Sequence, residues 1–460
     1  MLRSILPLGV ALLGATSVLA VDPPSCSLDK KCPKEAPCCS QYNQCGVGAF
    51  CLGGCDPRMS FSLDSCMPAP VCKDKTYKMD SLDRYRDISE YLGDSSKVDW
   101  VGQGEPLLYN GNTLLTMPPK SVGTVLATTT YMWYGSVKAK IKTSRGAGVV
   151  TAFILFSDVK DEIDYEWVGV DLNTAQTNYY FQGITDYTQT GNLTVKDTYN
   201  TFHDYEIQWT PDEIKWLIDG KVGRVKKRAD TWNATANQWN FPQTPSRVQI
   251  SIWPGGLETN AKGTVDWAGG PIDWKGEEIQ KYGYYFATFG EIKVECWKTD
   301  KAPGTSKGIS YYYNDISALN NTVVDSNKGT ILKSFLGTGT DVNKGDTTQS
   351  GSASSTSAVH AIPGGGVAPG GVVPGAGNNQ NQGNNNNNGG SGGGSGGSGS
   401  TGNNNCGTSN FAQECNPGGG GDGAQGSTNG NTNNSARGAD RTLGSSALAV
   451  IIGIAGLLLL

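Results

Sequence analysis

The chain has 460 residues, 17% of them charged, and a formal net charge of -5. That length allows two or three domains, and that charge excludes a general basic surface and with it a nucleic-acid partner. Only two histidines are present, His203 and His360, which nearly excludes a histidine-rich metal site and most Ser-His-Asp arrangements.

Residues 1–20 open with a short basic stretch ending at Arg3, continue with the apolar run from Ile5, and finish on Val18-Leu19-Ala20. This order predicts a secretory signal peptide cut after Ala20. The run is too short for a membrane-spanning helix. The folded chain is therefore expected outside the cell.

Nine of the twelve cysteines fall between Cys26 and Cys72, in a segment with little aliphatic content. A dense cluster in a secreted chain predicts a disulfide framework and no metal. A module of residues 21–72 is too small to bury enough apolar area without such staples. The run Cys38-Cys39-Ser40-Gln41-Tyr42-Asn43-Gln44-Cys45-Gly46, followed by Phe50-Cys51, resembles hevein-type chitin-binding modules. The resemblance implies that Ser40, Tyr42 and Phe50 contact N-acetylglucosamine units. It also implies the pairs Cys26–Cys39, Cys32–Cys45 and Cys38–Cys51. Gln44 stands where those modules usually carry a further aromatic, so one stacking platform is missing. Cys55 with Cys66 makes a fourth pair, and the arithmetic leaves Cys72 for Cys296.

Residues 73–300 are rich in Trp and Tyr and carry short alternating runs bounded by turn residues. Examples are Gly135 to Ile141, Val149 to Phe156, Tyr205 to Trp209, Glu213 to Ile218, Val248 to Trp253 and Phe286 to Val294. Asp219-Gly220 between two such runs is a hairpin signal. No long helix-period run interrupts them. The pattern predicts an all-β domain, a sandwich or jelly roll.

The chemistry concentrates in Asp158 to Trp167. Alternate residues of a strand share a face, so Glu162, Asp164 and Glu166 point one way and Ile163, Tyr165 and Trp167 the other. Three carboxylates on one face repel one another and raise at least one pKa. A structural strand gains nothing from that; the bland alternative is a solvated acidic edge. Retaining glycosidases need one ionised carboxylate as nucleophile and one protonated carboxyl as acid, about 5 Å apart. The strand places α-carbons four positions apart at about 13 Å, so the two long Glu side chains must lean together.

The order Glu-Ile-Asp-Tyr-Glu, then Gln176-Thr177-Asn178, then Phe202 to Gly220, resembles glycoside hydrolase family sixteen over roughly residues 90–295. Asp158 to Asp171 and Ser251-Ile252-Trp253-Pro254-Gly255-Gly256 resemble the fungal Crh-type cell-wall transglycosylases within it. The resemblance implies a β-jelly-roll and a retaining mechanism. It implies Glu162 as nucleophile, Asp164 as its assisting carboxylate and Glu166 as general acid/base. It also implies Trp253, Gln176 and Asn178 as substrate-binding residues. Flat apolar sugar faces stack on aromatic rings while polar ring edges bond hydroxyls. His203 reads as a structural partner, since the acid/base role is filled. No cofactor or metal is required.

Residues 301–434 run into Gly, Asn and Ser and predict a flexible spacer. Cys406 and Cys415 within it would close a small loop. Asn434-Ser435-Ala436, a polar spacer to Ser446 and the apolar residues Ala447 to Leu460 form, in that order, a glycosylphosphatidylinositol signal. Asn434 is the expected attachment residue, with Ser435 or Gly438 as alternatives, and residues 435–460 are then removed. Asn192, Asn233, Asn320 and Asn433 match the N-glycosylation pattern.

These readings predict a monomeric, extracellular, anchored enzyme of the cell wall and outer membrane face. Its donor is chitin and its acceptor a β-1,6- or β-1,3-glucan. The alternatives are an endo-acting β-glycan hydrolase of the same fold and a non-catalytic wall-binding glycoprotein.

Overall fold

The computed structural model describes residues 23–346 and Pro363. The signal peptide, the Cys406/Cys415 pair, Asn433 and the Asn434 attachment signal lie outside the described residues.

The fold is a sandwich of two eight-stranded sheets. One carries, in spatial order, Lys221–Lys227, Glu213–Ile218, His203–Trp209, Gly135–Lys142, Tyr285–Cys296, Asn112–Met117 and Glu105–Tyr109, with Lys75–Tyr77 also paired to Tyr285–Cys296. The other runs Gly191–Thr194, Thr174–Tyr180, Glu162–Val168, Val149–Ser157, Ser246–Pro254, Thr124–Thr128, Trp100–Gln103 and Tyr85–Asp87. Among the described residues the two α-helices are short, Lys262–Trp267 and Glu277–Tyr282. The expected jelly-roll sandwich is therefore what the chain adopts. Asp219 and Gly220, with φ of 52° and 76°, close the expected hairpin; this left-handed pair matches the twist of the flanking strands.

The core lies between the sheets. Ile163, Tyr165 and Trp167 are buried there beside Phe153, Tyr205, Trp209 and Trp216. Tyr165 and Trp167 stack with centroids 5.7 Å apart, and Tyr205 meets Trp167 edge-on at 4.6 Å. The polar tips are satisfied across the sandwich. The Tyr165 hydroxyl donates to the Leu217 carbonyl at 2.9 Å, and the Trp216 indole donates to the Asp164 carbonyl at 3.0 Å. These reciprocal bonds fasten the carboxylate-bearing strand to the opposite sheet.

All five expected disulfides of the described residues are present: Cys26–Cys39, Cys32–Cys45, Cys38–Cys51, Cys55–Cys66 and Cys72–Cys296. The last joins the beginning of the β domain to the end of Tyr285–Cys296.

Two expectations need correction. The spacer does not begin at residue 301. Ser310–Tyr313 pairs with Val323–Ser326 and with Ala69–Pro70 in a three-stranded sheet. Leu332 is buried, and the Gly48 amide donates to the Gly337 carbonyl. Residues up to 346 thus belong to the folded unit, because they cover apolar surface that the N-terminal segment leaves open. The N-terminal segment is, for its part, not a separate module. Phe50 is a core residue, packed with Leu52, Met67, Tyr91, Val98, Val101 and Leu332. A ring enclosed in that way has no face to offer a sugar.

Candidate active site

Two-residue periodicity and register build the site. Across Glu162, Asp164 and Glu166 stand Phe156, Ile154 and Ala152 on one side, and Tyr180, Asn178 and Gln176 on the other. One strand further lie Arg247, Gln249 and Ser251. Glu162, Asp164 and Glu166 therefore share one face with Gln176 and Asn178, as the alternation predicts, and that face is turned away from the core.

The three carboxylates are almost entirely buried. None of the Glu162 or Asp164 carboxylate oxygens receives a hydrogen bond from a neighbouring donor, nor does Glu166 Oε1. Removing a carboxylate from water without donors costs several kcal/mol in the charged form, so the protonated forms are favoured. Burial, then repulsion by Asp164, pushes Glu162 well above the ordinary carboxylate range, with the Lys160 ammonium opposing. Burial pushes Asp164 up to about 7, while Glu162 and Arg224 pull it back. Burial, then Asp164, raises Glu166. Glu162 and Asp164 shift one another's titration, and all three carboxyls favour the protonated form more than a free carboxyl does. Chemically, the strand offers one carboxyl group able to lose its proton to a neighbour and one able to donate it.

The turn that feeds this strand is clamped both from the N-terminal segment and from within the β domain. Lys160 sits at φ 66°, and the Asp161 amide donates to Ser157 Oγ at 2.8 Å. Asp158 accepts from the Gly54 amide and from the Tyr131 hydroxyl, both at 2.7 Å. The Val159 carbonyl accepts from Arg58 at 2.8 Å. Asp161 accepts from the Gln182, Gln243 and Thr244 amides and the Thr244 hydroxyl. Sequence reading singled out this acidic run but not its clamps, whose partners lie up to about a hundred residues away.

The remaining predicted residues divide. Trp253 stacks on Trp267, centroids 6.0 Å apart, and the Trp267 indole donates to Gln176 at 2.8 Å. Asn178 donates to the Tyr180 hydroxyl at 2.7 Å. Tyr42 packs against the apolar cluster that includes Trp253 and Ile154, and its hydroxyl meets Gln103 at 3.3 Å. Gln41 accepts from Arg247 at 2.9 Å. Ser40 is buried beside them. The three residues expected to make a separate chitin site thus part company. Phe50 is in the core, while Tyr42 and its neighbours line the carboxylate-bearing face. Tyr180, Gln249, Ser251 and Trp267 were not foreseen. Extending the alternation back from Trp253 and on from Asn178 finds the first three; Trp267 comes from a helix with no local signal. His203 is bonded at both ring nitrogens, to Asp219 at 2.7 Å and to the Lys196 carbonyl at 2.8 Å, which fits a structural role. Asn192 is exposed on an edge strand, whereas Asn233 and Asn320 are half-buried. Among the described residues the one candidate metal cluster, Cys26, Cys32 and Cys45, consists of disulfide cysteines.

Residues 94–269 match the family described as Glycosyl hydrolases family 16. Crh-like protein 3 of Botryotinia fuckeliana is 63% identical over 322 residues, 70% of this chain and 72% of that protein. Congo red hypersensitive protein 2 of Saccharomyces cerevisiae is 44% identical over 331 residues, 71% of this chain and 70% of that protein. A solved structure described as Crh5 transglycosylase in complex with NAG is 28% identical, covers 56% of this chain and 95% of its own, and superposes with a TM-score of 0.46.

Proposed function

The chain belongs to the Crh-like proteins of glycosyl hydrolases family 16, and from that premise we propose that it is a retaining transglycosylase that cleaves chitin and passes the glycosyl fragment to β-glucan. One observation carries the reading: Glu162, Asp164 and Glu166 share a face, are buried, and lack outside donors for five of their six oxygens.

In the first step Glu162 is ionised and its proton is held by Asp164. A Glu162 oxygen then forms a bond to the anomeric carbon. The glycosidic bond breaks, and the Glu166 proton goes to the leaving oxygen. In the second step Glu166, now ionised, takes the proton of an acceptor hydroxyl. That oxygen bonds to the anomeric carbon, and Glu162 is released as a carboxylate. Water in place of the acceptor gives hydrolysis, so exclusion of water sets the balance. Trp267, half-buried, supplies ring surface for sugar faces with the buried Trp253 stacked behind it, and Gln176 and Asn178 supply amides for hydroxyls. The enzyme works outside the cell, held at the wall and membrane face by a lipid anchor at Asn434. Among the described residues no helix is long and apolar enough to cross a membrane.

The test is transfer of chitin fragments to a fluorescent laminarin-type acceptor, followed by mass spectrometry beside Glu162→Gln. Label joined to chitin only with Glu162 intact supports the reading. Chitin shortening without label transfer makes the protein a hydrolase. No change in either substrate makes it a binding protein.

A further inference from the structure

The sheet opposite the carboxylates has its own groove, enclosing about 440 Å³. Six rings line it: Tyr109, Tyr199, Phe202, Tyr282, Tyr284 and Phe286. Phe286, on Tyr285–Cys296, faces away from the core, since Ala287 and Phe289 beside it are buried inside. The groove and the carboxylates are therefore on opposite faces of the sandwich, separated by two sheets and the core between them.

The rings are fixed in place. Phe286 meets Tyr282 edge-on at 5.4 Å, Tyr284 at 6.3 Å and Tyr199 at 6.2 Å. Lys142 lies 4.7 Å over Phe202, and the Arg145 guanidinium 4.7 Å over Tyr199. Tyr109 is held outward by the Asn110-Gly111 turn, φ 49° and 73°, and is 61% exposed; Tyr282 is 42% exposed. Asn110, Asn112 and Asn200 add amides and Lys142 lines the groove, while Lys140, Arg145 and Lys281 sit over its rings, Arg145 paired with Glu277 and Glu278.

Soluble proteins rarely leave so many rings open together unless they bind something. Rigid ring faces suit the C–H faces of pyranose units, and amides suit their hydroxyls. Six of its twelve lining residues are rings and three are amides, which suits a neutral chain. We propose that this groove is a second glycan-binding site, distinct from the catalytic face, that holds a neutral β-glucan chain. The choice of β-glucan rests on the transglycosylase reading. The acceptor must compete with water, and a second contact on the same chain raises its local concentration.

The experiment uses the full secreted chain, the double variant Tyr109→Ala/Tyr282→Ala, and the same pair changed to Phe. Each is made with and without Glu162→Gln, and laminarin binding is measured by calorimetry. In the Glu162→Gln background the Ala pair is expected to weaken laminarin binding about tenfold, which is about 1.4 kcal/mol, and the Phe pair to retain most of it. With Glu162 intact, the Ala pair raises KM for laminarin as acceptor and leaves transfer to a trisaccharide acceptor unchanged. Laminarin affinity unaltered by the Ala pair overturns the proposal, as does loss of chitin-oligosaccharide binding in place of laminarin binding. Binding is read without turnover, so failure of the catalytic reading leaves this result interpretable.

Discussion

The Lys160 ammonium donates to the Asn43 side-chain oxygen at 2.5 Å, joining the disulfide-rich N-terminal segment to the turn two residues before Glu162. Lys160 is buried, and burial pulls its pKa down to about 8 against the pull of Asp56 and Glu162, with Arg58 adding to the fall. An ammonium kept there favours the ionised form of Glu162. The N-terminal segment thus contributes to the electrostatics of the site by orienting a cation.

Replacing Lys160 by Met removes that cation, so the Glu162 carboxyl holds its proton more tightly. The acidic limb of the kcat/KM profile should then move to higher pH, by up to about one unit. Asn43→Ala should move it in the same direction by less. A profile unmoved by Lys160→Met would disprove the coupling.

Glu162→Gln should lower transfer by about a thousandfold or more, as loss of a nucleophile does, with no loss of thermal stability, because a buried acid without outside donors is replaced by a neutral isostere. Glu166→Gln should hurt substrates with poor leaving groups most. Those with a phenolate leaving group depart without a proton and should keep their first step. Activity on aryl and natural glycosides, measured side by side, checks this.

Asp164 titrates near 7 in the folded protein and near 3.9 when unfolded. Between those values the folded state holds more protons, so stability falls as pH rises through this window. Asp164→Asn removes the dependence. The variant should melt higher than the parent at pH 7, by on the order of 5 °C, with the gap closing toward pH 4. A gap that widens toward acid would contradict the burial argument.

Phe50 is enclosed by the core, so Phe50→Ala should cost about 3–5 kcal/mol of stability without selectively reducing chitin affinity. Denaturant unfolding and chitin-oligosaccharide titration of the folded fraction separate the two effects. Unchanged stability with lost chitin binding would restore the open-platform role expected from sequence.

Trp267 stacks on Trp253 and bonds Gln176. Trp267→Ala should raise KM for chitin oligosaccharides by about tenfold, the scale of one lost aromatic platform. Because its ring touches no carboxylate contact described above, kcat should change less than KM.

Strand periodicity alone put Glu162, Asp164 and Glu166 on one face and Ile163, Tyr165 and Trp167 on the other, because successive side chains of a strand must alternate. Cysteine order, with the family resemblance, placed five disulfides, and Asp219-Gly220 marked its hairpin because an Asp-Gly pair tolerates two left-handed residues. Tertiary structure decided which aromatic rings are core and which are open. Phe50 and Tyr42 sit eight residues apart in the same cysteine-rich run, yet one is enclosed by Leu332 and the other lies on the carboxylate-bearing face. The fold of residues 301–346 depends on contacts such as Gly48 with Gly337. Burial is a property of segments brought together from distant parts of the chain, and no local pattern encodes what will cover a given side chain.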